Sequence, residues 1–172
     1  EQSELVERIN QYWIKPTFLK KNLLAKNIIF IACGSSQHSA LIAKRWLIAS
    51  GINVMCELAS ELKTLPISQL QDTLVIAISQ SGETADTLLA LESLLPHNPL
   101  HTISICNTPL SSLTRLCQTN IFTQAGKEIG VASTKAFSAQ ILTLHMLVQH
   151  LTIGHAAEIG DQVQKQITQT LS

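Results

Sequence analysis

Apolar residues in this chain fall into short runs, separated by longer stretches in which they recur every three or four positions. The runs are Ile28 to Ala32, Ile52 to Leu58, Leu74 to Ile78, Leu100 to Cys106 and Asn120 to Thr123. The first and third carry no polar alternation, the texture of parallel strands covered on both faces. Between the runs, Ala40, Leu41, Ala43, Trp46 and Leu47, and later Ala85, Leu88, Leu89, Leu91, Leu94 and Leu95, draw apolar stripes along helices. Gly51 closes the first of these helices. A short helix opens at Ser111-Ser112-Leu113 behind a serine cap, and a long one runs through Ile141, Leu142, Leu144, Leu147, Val148 and Leu151. Residues Ala59 to Leu70 read as a loop with one helical turn.

This alternation predicts a doubly wound α/β domain over residues 25–152, a three-layer α/β/α sandwich around a five-stranded parallel sheet. Residues 1–24 form a separate arm of two short helices divided by Pro16, which would remove a hydrogen bond inside a single helix. Residues 153–172 form an amphipathic helix with Ile159, Val163, Ile167 and Leu171 four apart, leading away from the domain.

Folds of this class bind ligands outside the carboxyl ends of their strands, and three turns there carry suitable chemistry. The first is Cys33-Gly34-Ser35-Ser36, where Gly34 gives a backbone geometry closed to other residues and a serine can cap the helix or face a ligand. The second is Ser79-Gln80-Ser81-Gly82-Glu83-Thr84. Its hydroxyls and amide, with the unpaired N–H groups of the following helix, can wrap a phosphate without a metal. In the competing reading Ser81 only caps the helix and Gln80 faces solvent. Glu83 reads as a first-turn residue favoured by the helix dipole. The third turn spans Gln124 to Phe137, where Gly126 and Gly130 allow close backbone approach and Ser133 or Thr134 can cap the long helix. Lys127 and Lys135 either counter a phosphate or stay solvated, and His38 reads as a surface residue.

Composition narrows the function classes. A chain of 172 residues with 45% hydrophobic content has enough material for one substantial core. Twelve basic and twelve acidic residues cancel, so no net field gathers nucleic acid or an anionic membrane surface. No apolar run approaches the roughly 20 residues needed to span a bilayer. The four cysteines lack CxxC spacing, and Cys33, Cys56 and Cys106 fall in or beside strands as small core residues. The histidines have no metal-ligand spacing. Neither a Walker loop nor GxGxxG nor GxSxG is present, so no nucleotide, metal or organic cofactor is expected.

The segments IACGSS (31–36), SQSGETADTLLAL (79–91), SICNTPLSSLTR (104–115) and AGKEIGVASTKAFSAQ (125–140) resemble the sugar isomerase (SIS) domain family. The last segment narrows the resemblance to the first isomerase module of the glucosamine-6-phosphate synthase branch. That resemblance implies that Ser36, Ser79, Gln80, Ser81 and Thr84 cradle a sugar phosphate while Ser35, Val131 and Ser133 line the sugar chain. Ser35 stands where a threonine is usual, and the stretch after Ala59-Ser60-Glu61 lacks the usual Phe-Arg-Tyr type residues. It also implies a cytoplasmic homodimeric parent carrying a glutaminase domain and a second SIS module. The parent's acid–base glutamate, ring-opening histidine and imine-forming lysine would lie outside this chain, not at Glu128, His145 or Lys135. The implied reaction makes glucosamine 6-phosphate from fructose 6-phosphate and glutamine. Two alternatives are a stand-alone phosphosugar isomerase or deglycase and a non-catalytic phosphosugar-sensing module. Trp46, Phe137 and the tail helix are possible contacts between copies, with a core role open for the two aromatics.

Overall fold

A computed structural model describes residues 25–62, 70–126 and 135–152. The expected arm and tail helix, and the loop segments 63–69 and 127–134, lie outside the described residues. Five strands form one sheet: β1 (Asn27–Ala32), β2 (Asn53–Leu58), β3 (Thr73–Ile78), β4 (His101–Cys106) and β5 (Thr119–Phe122). The helices are α1 (Gly34–Ala49), α2 (Ala85–Leu94), α3 (Ser112–Leu116) and α4, helical over residues 135–152. All neighbouring strands are parallel, in the order β2-β1-β3-β4-β5. This is the five-stranded parallel sheet that the unbroken apolar runs predict.

Every residue of β3 is buried, because this central strand is covered on both faces. Residues alternate between two cores, as strand geometry requires. Ile28, Phe30, Leu74, Ile76, Ile78, Ile103 and Ile105 pack against Ala40, Ala43 and Leu47 of α1 and Leu144, Leu147 and Val148 of α4. Ile29, Ile31, Val75 and Ala77 pack on the other face against Ala90, Leu91 and Leu94 of α2 and Leu113 of α3. Trp46 is half-buried against the first core, its ring edge-on to His145 with centroids 5.2 Å apart. It therefore serves core packing.

Boundaries shift slightly from the sequence reading. The second strand starts at Asn53, the fourth at His101 after a 3₁₀ turn over Leu95–His97, and the fifth at Thr119. Gly51, at φ +81°, follows the end of α1 as expected of a helix-stopping glycine. The edge strand β5 is only four residues long. Side chains supplement its ladder: Ser104 Oγ donates to Asn120 Oδ1 at 2.6 Å, and the Gln118 backbone N–H donates to Thr102 Oγ1 at 2.9 Å. No helix among the described residues is long and apolar enough to cross a membrane.

All four cysteines are free, with Cys106 and Cys117 buried and Cys33 and Cys56 half-buried. Burial pushes the Cys117 thiol up to about 12 and the Cys56 thiol up to about 11, and raises that of Cys106. These three sulfurs stay protonated at neutral pH and make poor nucleophiles. In the folded chain at pH 8, iodoacetamide should therefore leave Cys106 and Cys117 unmodified, with full labelling only after denaturation. Mass spectrometry of the digested protein reads this directly, and rapid labelling of either residue in the native state would contradict the packing described.

Candidate functional site

The order β2-β1-β3-β4-β5 makes β1 and β3 neighbours, yet the chain leaves β1 toward β2 and leaves β3 toward β4. At such a switch point the two following loops diverge and open a crevice at the strand ends. Ala32 pairs with Ile78, so Cys33 and Ser79 emerge side by side. Thr87 Oγ1 lies 4.0 Å from Cys33 Sγ, tying the first turn of α2 to the turn after β1. The first two predicted turns thus share one rim.

The hydroxyls there do not cap helices. Cys33 is the N-cap of α1 and Thr84 that of α2, and neither makes a side-chain cap hydrogen bond. The expected serine cap of α1 and the competing reading of Ser81 as a plain cap are both corrected. Ser36 is buried and faces α4, where Gln140 Nε2 donates to its Oγ at 2.9 Å. Ser81 Oγ accepts from the Glu83 N–H at 3.2 Å, a local turn that leaves its own proton unused. Buried Ser79 accepts from the Gly82 N–H at 3.1 Å and shares a 2.8 Å contact with Thr84 Oγ1. One proton serves that shared contact, so the pair retains the other. Gln80 is half-buried, and its carbonyl accepts from the Asn107 N–H at 3.0 Å. Ser35 and His38 are exposed on the first turns of α1. Val131 and Ser133, with Glu128 and Lys127, lie outside the described residues.

Glu83 has a different task from the one its position on α2 suggests. Its Oε1 accepts from the Ser112 N–H at 2.8 Å, so it serves the amino end of α3. That hydrogen bond, with the Ser112 side chain and Arg115 nearby, holds the Glu83 carboxyl below its usual range. Its charge is thereby spent on α3 instead of opposing an anion at the rim. Arg115 in turn donates to Leu110 O and to Ser112 Oγ, fixing the turn in which Leu110 takes φ +61°. The expected serine cap of α3 is present in position only: Ser111 is the N-cap, but its hydroxyl makes no cap hydrogen bond.

Ser111 is instead pressed against Gly82, and its Oγ is buried with no hydrogen-bond partner among the described residues. A β-carbon at Gly82 would meet Ser111 Cβ at 2.6 Å and collide with its Oγ, and the backbone there has φ +70°. Gly82 is therefore required twice, for conformation and for close approach. Gly34 also has a left-handed φ, +57°, but a β-carbon there would meet open space.

Asn107, read from sequence only as the stop of a strand, is a hub. Its Oδ1 accepts from the Ala125 N–H at 2.9 Å and lies 3.3 Å from Thr123 Oγ1, while its Nδ2 donates to Gly126 O at 2.8 Å. Ala125 packs against Ala139 of α4, with Leu142 and Met146 beside it. The chain entering segment 127–134 is thus anchored at the rim. Asn107 and Gln140 are the two rim residues that sequence reasoning missed. An Asn directly after a buried strand was the available signal for the first; the second had none.

Residues 24–150 match the model of the SIS domain, and the chain belongs to that family. Within it, the chain is 41% identical over 148 residues to a glutamine–fructose-6-phosphate aminotransferase (isomerizing) of Pseudomonas syringae pv. tomato, covering 85% of this chain and 24% of that relative. The corresponding enzyme of Wigglesworthia glossinidia brevipalpis is 46% identical over 127 residues, covering 73% and 21%. Among solved structures, the C-terminal domain of glucosamine-fructose-6-phosphate aminotransferase from Francisella tularensis superposes with a TM-score of 0.81 at 35% identity, over 88% of this chain and 45% of that one. The chain therefore spans about a quarter of the length of the curated relatives it matches.

Two outcomes follow for the rim. Gly34→Ala should lower unfolding free energy by about 1 to 2 kcal/mol, the cost of a left-handed backbone, whereas Gly82→Ala adds a packing collision of roughly 1 to 3 kcal/mol. Urea titration separates them, and equal losses would show that Ser111 yields freely. For Glu83, the folded carboxyl titrates below its ordinary 4.5. Its stabilisation is complete above that ordinary value and is lost as pH falls through the folded one. Glu83→Gln should accordingly be less stable than the parent at pH 7, with the gap closing as pH falls from the ordinary value through the lowered folded one, and a gap independent of pH would sever the link to α3.

Proposed function

We propose that this chain is the phosphate-gripping SIS module of a glutamine-dependent aminotransferase that makes glucosamine 6-phosphate from fructose 6-phosphate and glutamine. One observation carries the reading. At the β1–β3 crevice, Ser36 and Ser81 each accept a hydrogen bond and Ser79 and Thr84 share one proton, while the hydroxyl protons of Ser36, Ser81 and one of that pair meet no acceptor among the described residues. Two helices begin at the same rim without side-chain caps, so their first-turn N–H groups add donors and partial positive charge. A phosphate satisfies both kinds of donor at once. The similarity to the named aminotransferases supports the choice of sugar.

In this proposal Ser79, Gln80, Ser81, Thr84 and Ser36 hold the phosphate, while Ser35, Val131 and Ser133 line the sugar chain. Fixing the phosphate end orients the open-chain ketose so that C1 and C2 are presented to groups elsewhere in the parent protein. Ammonia adds to the ketose carbonyl, water leaves, and proton transfer between C1 and C2 completes the isomerisation. The acid–base groups for these steps come from a second SIS module and the ammonia from a glutaminase domain, in a cytoplasmic homodimer. This chain supplies position.

Calorimetric titration tests the module directly. Fructose 6-phosphate and glucosamine 6-phosphate should bind, fructose should not, and the chain alone should show no synthase turnover. A folded Ser81→Ala/Thr84→Ala variant loses hydrogen bonds to a charged group worth roughly 1.5 to 3 kcal/mol each, so its affinity should fall at least tenfold. An unaltered Kd would remove these residues from the site, and turnover on a sugar-phosphate panel would favour a self-sufficient isomerase.

A further inference from the structure

The contact between α1 and α4 changes character along its length. Away from the rim it is apolar, with Ala40, Ala43 and Leu47 facing Leu144, Leu147 and Val148. At the rim it is polar and equally buried: Ser36 is 7% exposed, Ser39 0% and Gln140 2%. Gln140 Nε2 donates to Ser36 Oγ at 2.9 Å, and Gln140 Oε1 accepts from Ser39 Oγ at 3.2 Å. Ser39 Oγ shares its one proton between that amide oxygen and the Ser36 carbonyl, 2.7 Å away, which fastens the first turn of α1 to the same cluster. A leucine would fill the volume of Gln140 and extend the apolar contact, so helix packing alone does not call for an amide here. A buried amide is tolerated because each end has a partner.

The direction of these bonds has a chemical consequence. With the Gln140 amide N–H₂ turned to Ser36, the serine oxygen is an acceptor and its single proton meets no acceptor among the described residues. Were the carbonyl or a carboxylate turned there instead, Ser36 would have to donate inward and would offer the rim only lone pairs, which repel an anion. We propose that Gln140 is a positioning residue for ligand binding, whose amide holds Ser36 so that the serine hydroxyl donates outward to the sugar phosphate. The inference rests on the phosphosugar reading above. It assigns to α4, a helix with no predicted ligand contact at this position, control over one of the donors of the cradle.

The test compares the 172-residue chain with Gln140→Leu, Gln140→Glu, Ser36→Ala and the Gln140→Leu/Ser36→Ala double variant, by calorimetry with fructose 6-phosphate and by thermal unfolding. Gln140→Leu and Ser36→Ala should each weaken binding roughly tenfold, the loss of one hydrogen bond to charge. The double variant should bind no worse than Ser36→Ala, because the amide acts only through that hydroxyl. Gln140→Glu gives a readout that a packing role would not move. At pH 7.5 its carboxylate takes the Ser36 proton and binding should be weak. At pH 5.5 the buried carboxyl, its affinity for protons raised by desolvation, donates again, so affinity relative to the parent at the same pH should recover. Should Gln140→Leu not fold, the glutamate variant and Ser36→Ala decide the matter. Parent-like affinity of folded Gln140→Glu at both pH values, or additive losses in the double variant, would overturn the inference while leaving the phosphosugar reading intact. Failure of the parent chain to bind any phosphosugar would overturn that reading, and this inference with it.

Discussion

The parallel pairing of β1 with β3, Ala32 opposite Ile78, governs what this molecule can do. The chain departs from the two strands toward opposite edges of the sheet, so α1 covers one face and α2 the other. Their amino ends diverge above the same pair of strand ends. Each contributes unpaired N–H groups and a partial charge of roughly half a positive unit. An anion site of the proposed kind would need no lysine or arginine, in a chain whose formal charges cancel.

Keeping that rim open demands that the polar groups behind it be satisfied elsewhere. Glu83 is drawn onto the amino end of α3, Ser81 and Ser79 accept from backbone N–H groups, and Gln140 occupies the acceptor side of Ser36. In the serines an oxygen is held as an acceptor from the protein side, and the protons of Ser36, Ser81 and one of the Ser79–Thr84 pair meet no acceptor among the described residues. The arrangement is rigid where it must be. Gly82 sits against Ser111 with no room for a side chain, and Asn107 holds the backbone of Ala125 and Gly126 on the stretch leading to residues 127–134. Rigidity of this kind reduces the ordering that a ligand must impose when it binds.

Much of this was legible beforehand. The strands announced themselves as short apolar runs, most clearly the central one, because a parallel strand covered on both faces leaves a run such as Leu74 to Ile78 without polar interruption. Two glycine positions were legible too, since Gly34 begins a helix and Gly51 follows its end, both at a left-handed φ. The turns after β1 and β3 do lie beside each other at the strand ends, but the serine cap hydrogen bonds expected at the starts of α1 and α3 are absent. Helix capping is a short-range rule, and it assigns a serine near a helix start to the backbone three residues on. Ser36 and Ser111 answer instead to Gln140 and Gly82, partners 104 residues away in the first case and across a loop in the second.

Sequence alone therefore determined the strands and helices of the described domain, its layered α/β class and the family to which the turns belong, because those follow from local periodicity and from motifs of a few residues. Tertiary structure alone decided which hydroxyl protons remain available, since that depends on acceptors and donors brought in from distant segments. Gln140 is a polar residue on an otherwise regular helix until α4 lies across the first turn of α1. Asn107 is a strand stop until the end of β5 arrives beside it. Hydrogen bonds act over about 3 Å, and only the folded chain brings such partners within that reach.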